Sequence, residues 1–280
     1  VLDMPDIKDR LQILKVHAKN KPLAKNVELH TVAKQTPGFS GADLENVLNE
    51  AAILAARENK KEVFRTDLEM AVEKIFLGPE KKSSVMSEKE KKITAYHEAG
   101  HALVGHLLPN TDPIHKISIV SRGMALGVTW SLPEEDKKLV SKSELEDDIA
   151  MMLSGRVSEK IFFNEITTGA SNDLEKATKM ARDMVTRYGM SLRLGNQIYG
   201  RRDELVFLGK ELGEHHKDYS EEIAAKIDDE ISLIISQAYK KAEKLINQNK
   251  KKLEKVVSVL LEKETIEADE FKEIVTKTKN

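Results

Sequence analysis

Hydrophobic residues recur at intervals of three and four along most of the chain, and this spacing predicts helices. The period appears in the first 78 residues, returns in residues 87–108 and continues through residues 173–188. It is most regular in residues 219–261, where it predicts two long packed helices. No strict heptad repeat holds there, so a coiled coil is not expected.

Four short motifs predict where helices begin. Each has Ser or Thr followed three residues later by Asp or Glu, a pair that can satisfy free backbone N–H groups of a first helical turn. They begin at Ser40, Thr66, Ser87 and Ser143.

Alternation typical of β-strands is confined to residues 115–132, where segments 117–120 and 126–130 predict a hairpin around a loop with Arg122 and Gly123. We therefore predict a mainly α protein with a small β-hairpin. A polar, lysine-containing stretch separates two predicted domains, a helical one at 1–78 and a second one at 87–280, with 79–86 as linker.

The sequence His-Glu-Ala-Gly-His at residues 97–101 lies inside the helix predicted after Ser87. Four residues separate His97 from His101, so both imidazoles project from one helix face and can bind one metal ion, with Glu98 beside them. This is the arrangement of a zinc hydrolase. The alternative is that both are ordinary helix-face histidines paired with nearby acids.

Composition narrows the possible chemistry. The chain has 45 basic and 47 acidic residues and a net charge of −2. It therefore has no excess of positive charge that would attract nucleic acid or an anionic membrane. It has no cysteine, so a zinc site must use nitrogen and oxygen ligands, and two His with a carboxylate form a catalytic rather than a structural set. No apolar stretch of about 18 residues and no secretory leader is evident. The first residue is Val1, which suggests a fragment of a longer protein.

Two blocks of sequence carry a family resemblance. Residues 13–17 (Ile-Leu-Lys-Val-His) and 36–44 (Thr-Pro-Gly-Phe-Ser-Gly-Ala-Asp-Leu) resemble the helical lid subdomain of an AAA+ ATPase. Residues 96–102, 125–129 and 167–174 (Thr-Thr-Gly-Ala-Ser-Asn-Asp-Leu) look like the peptidase domain of the membrane-bound ATP-dependent protease FtsH. The resemblance covers essentially the whole chain, in the right order.

The resemblance implies a third zinc ligand. It assigns that role to Asp173, which the residues alone would favour as a helix N-cap. Glu159 is the runner-up ligand, although a partner of a ligand or a helix-surface charge is the expected role. Zinc held by His97, His101 and Asp173 would activate a water molecule, and Glu98 would act as general base in peptide-bond hydrolysis.

The lid resemblance implies an adenine pocket for ATP or ADP lined by Ile13, His17, Gly41 and Ala42. No phosphate-binding loop Gly-x-x-x-x-Gly-Lys-Ser/Thr is present, so this chain alone is not expected to hydrolyse ATP. The full-length family member implied is a homo-hexamer at the inner or plasma membrane. Its anchor lies in an N-terminal segment, this portion faces the cytoplasm, and it degrades unfolded or membrane proteins.

Three further possibilities stay open. Residues 126–130 could align an extended substrate at the edge of the hairpin, or the hairpin could simply be packing. The chain could be an inactive, hexamer-forming scaffold with a structural metal. It could also be an ATP-independent zinc peptidase, which the lid disfavours.

Overall fold

The computed structural model describes residues 4–79, 86–122, 126–133, 135–137, 139–199 and 219–278. Helices dominate these residues and three short strands form one sheet, which confirms the predicted mainly α fold. Residues 80–85 of the predicted linker, together with Gly123 and Ala125, lie outside the described residues. None of the described helices is long and apolar enough to cross a membrane.

The chain divides into two compact units. The first contains residues 1–95, 112–139 and 259–272, and the second contains residues 96–111, 140–258 and 273–280.

The first unit begins with four helices packed around an aliphatic core. They are α1 (Ile7–Ala18), α2 (Leu29–Gln35), α3 (Gly41–Arg57) and α4 (Arg65–Leu77). Leu14, Leu44 and Leu48 are fully buried, because the apolar positions of α1 and α3 recur on one face of each helix. Trp130, from the sheet, is buried in the same cluster.

Hydrogen bonds at the helix starts test the predicted caps in this unit. Ser40 and Asp43 form the predicted capping box of α3, since Ser40 Oγ accepts from the backbone N–H of Asp43 and Asp43 accepts from that of Ser40. The predicted start at Thr66 is wrong. Asp67 accepts from the backbone N–H of Phe64 at 2.8 Å, so the first turn closes earlier and α4 begins at Arg65.

Three strands form the sheet, namely β1 (Ile114–Ser118), β2 (Val128–Ser131) and β3 (Thr265–Glu267). Their order is β2-β1-β3, and both pairings are antiparallel. β1 and β2 confirm the predicted hairpin, with Ile117 opposite Thr129. The expectation that strand structure is confined to residues 115–132 is wrong, because β3 pairs with β1 on its other side.

The remaining helices are α5 (Glu88–Leu107), α6 (Lys142–Phe163), α7 (Ser171–Thr186), α8 (Glu221–Gln248), α9 (Lys250–Lys263) and α10 (Ala268–Lys277). The two long helices predicted in residues 219–261 are confirmed as α8 and α9. Ser87 and Glu90 form the predicted capping box of α5. The cap of α6 is Ser141 and not Ser143, because Ser141 Oγ accepts the backbone N–H of Glu144, three residues on.

Candidate metal centre

Both histidines of the His-Glu-Ala-Gly-His motif lie on one buried face of α5. His97 and His101 are each 8% exposed, and their Nε2 atoms are 3.0 Å apart. The helix sets this proximity, since four residues make slightly more than one turn. The motif therefore presents two imidazole donors at one point inside the second unit.

Asp173 completes a cluster of three donors. It lies in the first turn of α7, directly after a short 3-10 helix at Thr168–Ala170. Its Oδ2 is 3.1 Å from His97 Nε2 and 3.3 Å from His101 Nε2. The N-cap of α7 is Ala170, so Asp173 does not have the capping role that the sequence also allowed. Among the described residues, these three form the one group whose donor atoms could hold a metal ion.

The spacing of the donors fits zinc. Ligands bound to one tetrahedral zinc ion at about 2.0–2.1 Å lie about 3.3 Å from one another. The three donor separations here are 3.0, 3.1 and 3.3 Å. Two imidazoles and one carboxylate are also a donor set that catalytic zinc uses. The side chain of Asp173 is 24% exposed, so the cluster is not sealed from solvent.

The opposite nitrogen of each imidazole is held by an acceptor. His97 Nδ1 lies 2.7 Å from Glu159 Oε1, and His101 Nδ1 lies 2.7 Å from the carbonyl oxygen of Met151. Glu159 is itself held, because its Oε2 accepts the backbone N–H of Thr167 at 2.8 Å. These acceptors favour a proton on each Nδ1, so the lone pair of each Nε2 faces the cluster and can bind a metal ion. This is the usual arrangement around a zinc-binding histidine.

These contacts correct one expectation and add one residue. Glu159 is 1% exposed, so it is not a helix-surface charge, and it contacts His97 at Nδ1 rather than joining the three donors. Sequence reasoning missed Met151. It contributes a backbone carbonyl, and no side-chain pattern could have indicated it.

Electrostatics in the cluster favour a bound cation. Burial lowers the pKa of His97, but hydrogen bonds with Asp173 and Glu159 outweigh burial and raise this pKa to about 10. Burial raises the pKa of Asp173, yet hydrogen bonds from His101 and His97 bring it below its usual range. The carboxylates thus stabilise a positive charge at the cluster, which a metal ion can supply in place of a proton.

Glu98 follows His97 on α5 and is 6% exposed. Its negative charge contributes to the raised pKa of His97. Glu98 is not among the three donors, and its role in proton transfer stays a prediction.

The residues predicted to line an adenine pocket lie in the first unit, on α1 and α3. A Cβ built on Gly41 would lie 3.9 Å from Ile13 Cδ1, and His17 Nδ1 is 3.7 Å from Glu45 Oε1. Ile13 and His17 therefore lie near the start of α3, where Ala42 is exposed. Their role in nucleotide binding stays a prediction.

Comparison with known proteins identifies the family of the chain. The model of peptidase family M41 matches residues 84–274, and that of the AAA+ lid domain matches residues 26–70. The chain is 54% identical over 271 residues to "ATP-dependent zinc metalloprotease FtsH 1" of Thermoanaerobacter sp. (strain X514), covering 97% of this chain and 44% of that protein. It is 52% identical over 275 residues to "ATP-dependent zinc metalloprotease FtsH" of Rubrobacter xylanophilus, covering 98% and 42%.

The "ATP-dependent zinc metalloprotease FtsH" of Thermotoga maritima is 50% identical over 277 residues, 99% of this chain and 45% of that protein. The chain spans less than half the length of these curated relatives. The resemblance to the FtsH family is confirmed, and no finding supports an inactive scaffold. The chain belongs to peptidase family M41.

Proposed function

We propose that His97, His101 and Asp173 hold the catalytic zinc ion of this peptidase and that Glu98 is its general base. The observation that carries the proposal is the convergence of His97 Nε2, His101 Nε2 and Asp173 Oδ2 within 3.3 Å of one another, with both Nδ1 atoms hydrogen-bonded elsewhere. When bound, zinc supplies a Lewis acid that polarises the scissile carbonyl and acidifies a water molecule.

Each residue has a defined part in this mechanism. His97 and His101 bind through Nε2, and Glu159 and the Met151 carbonyl hold their rings in that orientation. Asp173 supplies the negative charge that offsets the dication. The Glu98 carboxylate accepts a proton from the attacking water and donates it to the leaving amine, as a general base and then a general acid.

The whole protein is proposed to be an ATP-dependent protease in which residues 1–78 are the helical lid, 79–86 a linker and 87–280 the peptidase domain. ATP or ADP would contact Ile13, His17, Gly41 and Ala42, with the phosphates bound by a part of the protein that this chain does not contain. We further propose a homo-hexamer, anchored in the inner or plasma membrane by another segment and facing the cytoplasm, that degrades unfolded or membrane proteins. The matched relatives, named ATP-dependent zinc metalloproteases, support this proposal.

Two measurements test the site. The first is anomalous scattering at the zinc edge, which is expected to locate one ion bound by His97, His101 and Asp173. The second compares cleavage of unfolded casein by the parent chain and by Glu98→Gln, which should keep stoichiometric zinc and lose cleavage. Cleavage at the parent rate by Glu98→Gln would refute the role of Glu98, and an ion held by other residues would refute the ligand set.

A further inference from the structure

Gly155 lies where a side chain would meet both histidines. It is in the interior of α6, and a Cβ built on it would lie 2.6 Å from His101 Nε2, from His97 Nε2 and from His97 Cε1. Real Cβ atoms essentially never come within 3.0 Å of another heavy atom in this way. The atoms approached are the proposed metal-binding ends of the two rings.

The backbone gives no reason for a glycine here. Gly155 is not among the glycines with positive φ, and it lies inside a regular helix of 22 residues. Glycine in a helix interior costs roughly 1 kcal/mol of stability relative to alanine. What distinguishes the position is the space next to the imidazoles.

Gly100, on α5, shows what a packing glycine looks like in the same region. A Cβ there would lie 2.7 Å from the backbone oxygen of Ser154 and 2.9 Å from Ser158 Cβ. Backbone atoms of α6 cannot move away without separating the two helices, so Gly100 serves the close approach of α5 and α6. The atoms near Gly155 are instead the ends of side chains, which can rotate.

Rotation of those rings would change the donor cluster. Glu159 holds His97 at Nδ1 with a contact of 2.7 Å, and the Met151 carbonyl holds His101 at Nδ1 with a contact of 2.7 Å. A methyl group at residue 155 would push both Nε2 atoms away while their Nδ1 atoms are tethered. The rings would have to abandon these contacts, the convergence on Asp173, or both.

We propose that Gly155 is a positioning residue of the metal centre. Its lack of a side chain keeps clear the space at the Nε2 atoms of His97 and His101 that a zinc ion requires. The inference rests on the proposed zinc site, and it assigns Gly155 to metal binding rather than to helix packing.

The test is Gly155→Ala in the 280-residue chain, with zinc affinity measured by competition with a chromophoric chelator. We expect affinity to fall about 100-fold, at the upper end of what changes next to metal ligands cause. The visible spectrum of the cobalt(II)-substituted protein should lose the intense bands of four-coordinate cobalt. The metal-free variant should lose less stability than metal-free Gly100→Ala, because the atoms that must move are side-chain ends rather than backbone and because alanine favours the helix.

Two variants are matched controls. Ser158→Ala removes a buried hydroxyl that has no hydrogen-bond partner, so zinc affinity should stay at the parent value. Gly100→Ala should lower stability in the metal-free state, because its Cβ meets backbone.

Three outcomes would overturn the inference. Zinc affinity of Gly155→Ala within threefold of the parent value would show that the space is not needed. Metal-free Gly155→Ala that is destabilised as much as Gly100→Ala would show that Gly155 serves packing. A parent chain that binds no zinc would overturn the proposed function and this inference together, whereas the first two outcomes leave the proposed function intact.

Discussion

The carboxylate of Glu159 is expected to set the affinity of the metal centre without touching the metal. One of its oxygens contacts His97 Nδ1 at 2.7 Å and the other accepts the Thr167 N–H at 2.8 Å. Glu159→Gln keeps the volume but leaves one oxygen for two donors. The N–H group of either His97 or Thr167 then faces an amide NH2 group, which cannot accept its hydrogen bond. Residue 159 is only 1% exposed, so water cannot readily replace the lost acceptor.

The magnitude follows from these contacts. Loss of a partner that orients a metal-binding histidine typically lowers affinity 10- to 100-fold, or about 1.4–2.7 kcal/mol. A buried donor left without an acceptor costs about 1–3 kcal/mol of folding stability, so the metal-free variant should also unfold at lower denaturant concentration. Zinc affinity is measured by chelator competition and stability by urea unfolding of the metal-free chain.

Two variants make this experiment decisive. Glu165→Gln changes an exposed carboxylate a few residues away and should leave both quantities unchanged. Asp173→Asn removes a proposed ligand and should lower affinity more than Glu159→Gln does. If Glu159→Gln binds zinc as tightly as the parent, the orienting role is refuted. If it loses more affinity than Asp173→Asn, Glu159 is the ligand and the assignment of Asp173 is wrong.

Two further predictions concern the first unit. Hydrogen bonds from the Ser40 side chain and backbone lower the pKa of Asp43 below 3.8, so its stabilisation is present above pH 3.8 and is lost as pH falls through the lower folded-state value. The stability advantage of the parent over Asp43→Asn should therefore shrink in acid urea titrations, and an advantage independent of pH would contradict this. Glu73 is 5% exposed and contacts Lys116 Nζ at 2.6 Å. Glu73→Gln should cost about 1.5–3 kcal/mol in urea unfolding, because it removes the closer of the two carboxylates that contact Lys116 and leaves only that of Glu267 at 3.0 Å. Exposed Glu62→Gln should cost almost nothing, and equal losses would refute the argument.

Features set by local chemistry could be predicted from the sequence. The box of Ser40 and Asp43 and the helices α8 and α9 depend on residues a few positions apart, so the order of side chains specifies them. The predicted start of α6 at Ser143 differs from the observed one because both Ser141 and Ser143 are suitable N-cap residues. In the structure, the backbone N–H of Glu144 donates to Ser141 Oγ, so Ser141 is the cap. β3 has only three residues and exists through its pairing with β1, which no local pattern encodes.

Part of the proposed metal centre could be predicted from local sequence, and part depends on contacts between distant segments of the chain. His97 and His101 were predictable as a pair because helix geometry alone brings them together. Asp173 has no such local reason, since its place beside them depends on α6, the 3-10 helix at Thr168–Ala170 and the first turn of α7. From the residues alone a helix N-cap was the better interpretation, and only the family resemblance favoured a ligand. The structure supplies the physical reason. Ala170 is the N-cap of α7 and Ser171 is its first residue, so Asp173 falls in the first turn, where its Oδ2 reaches both Nε2 atoms.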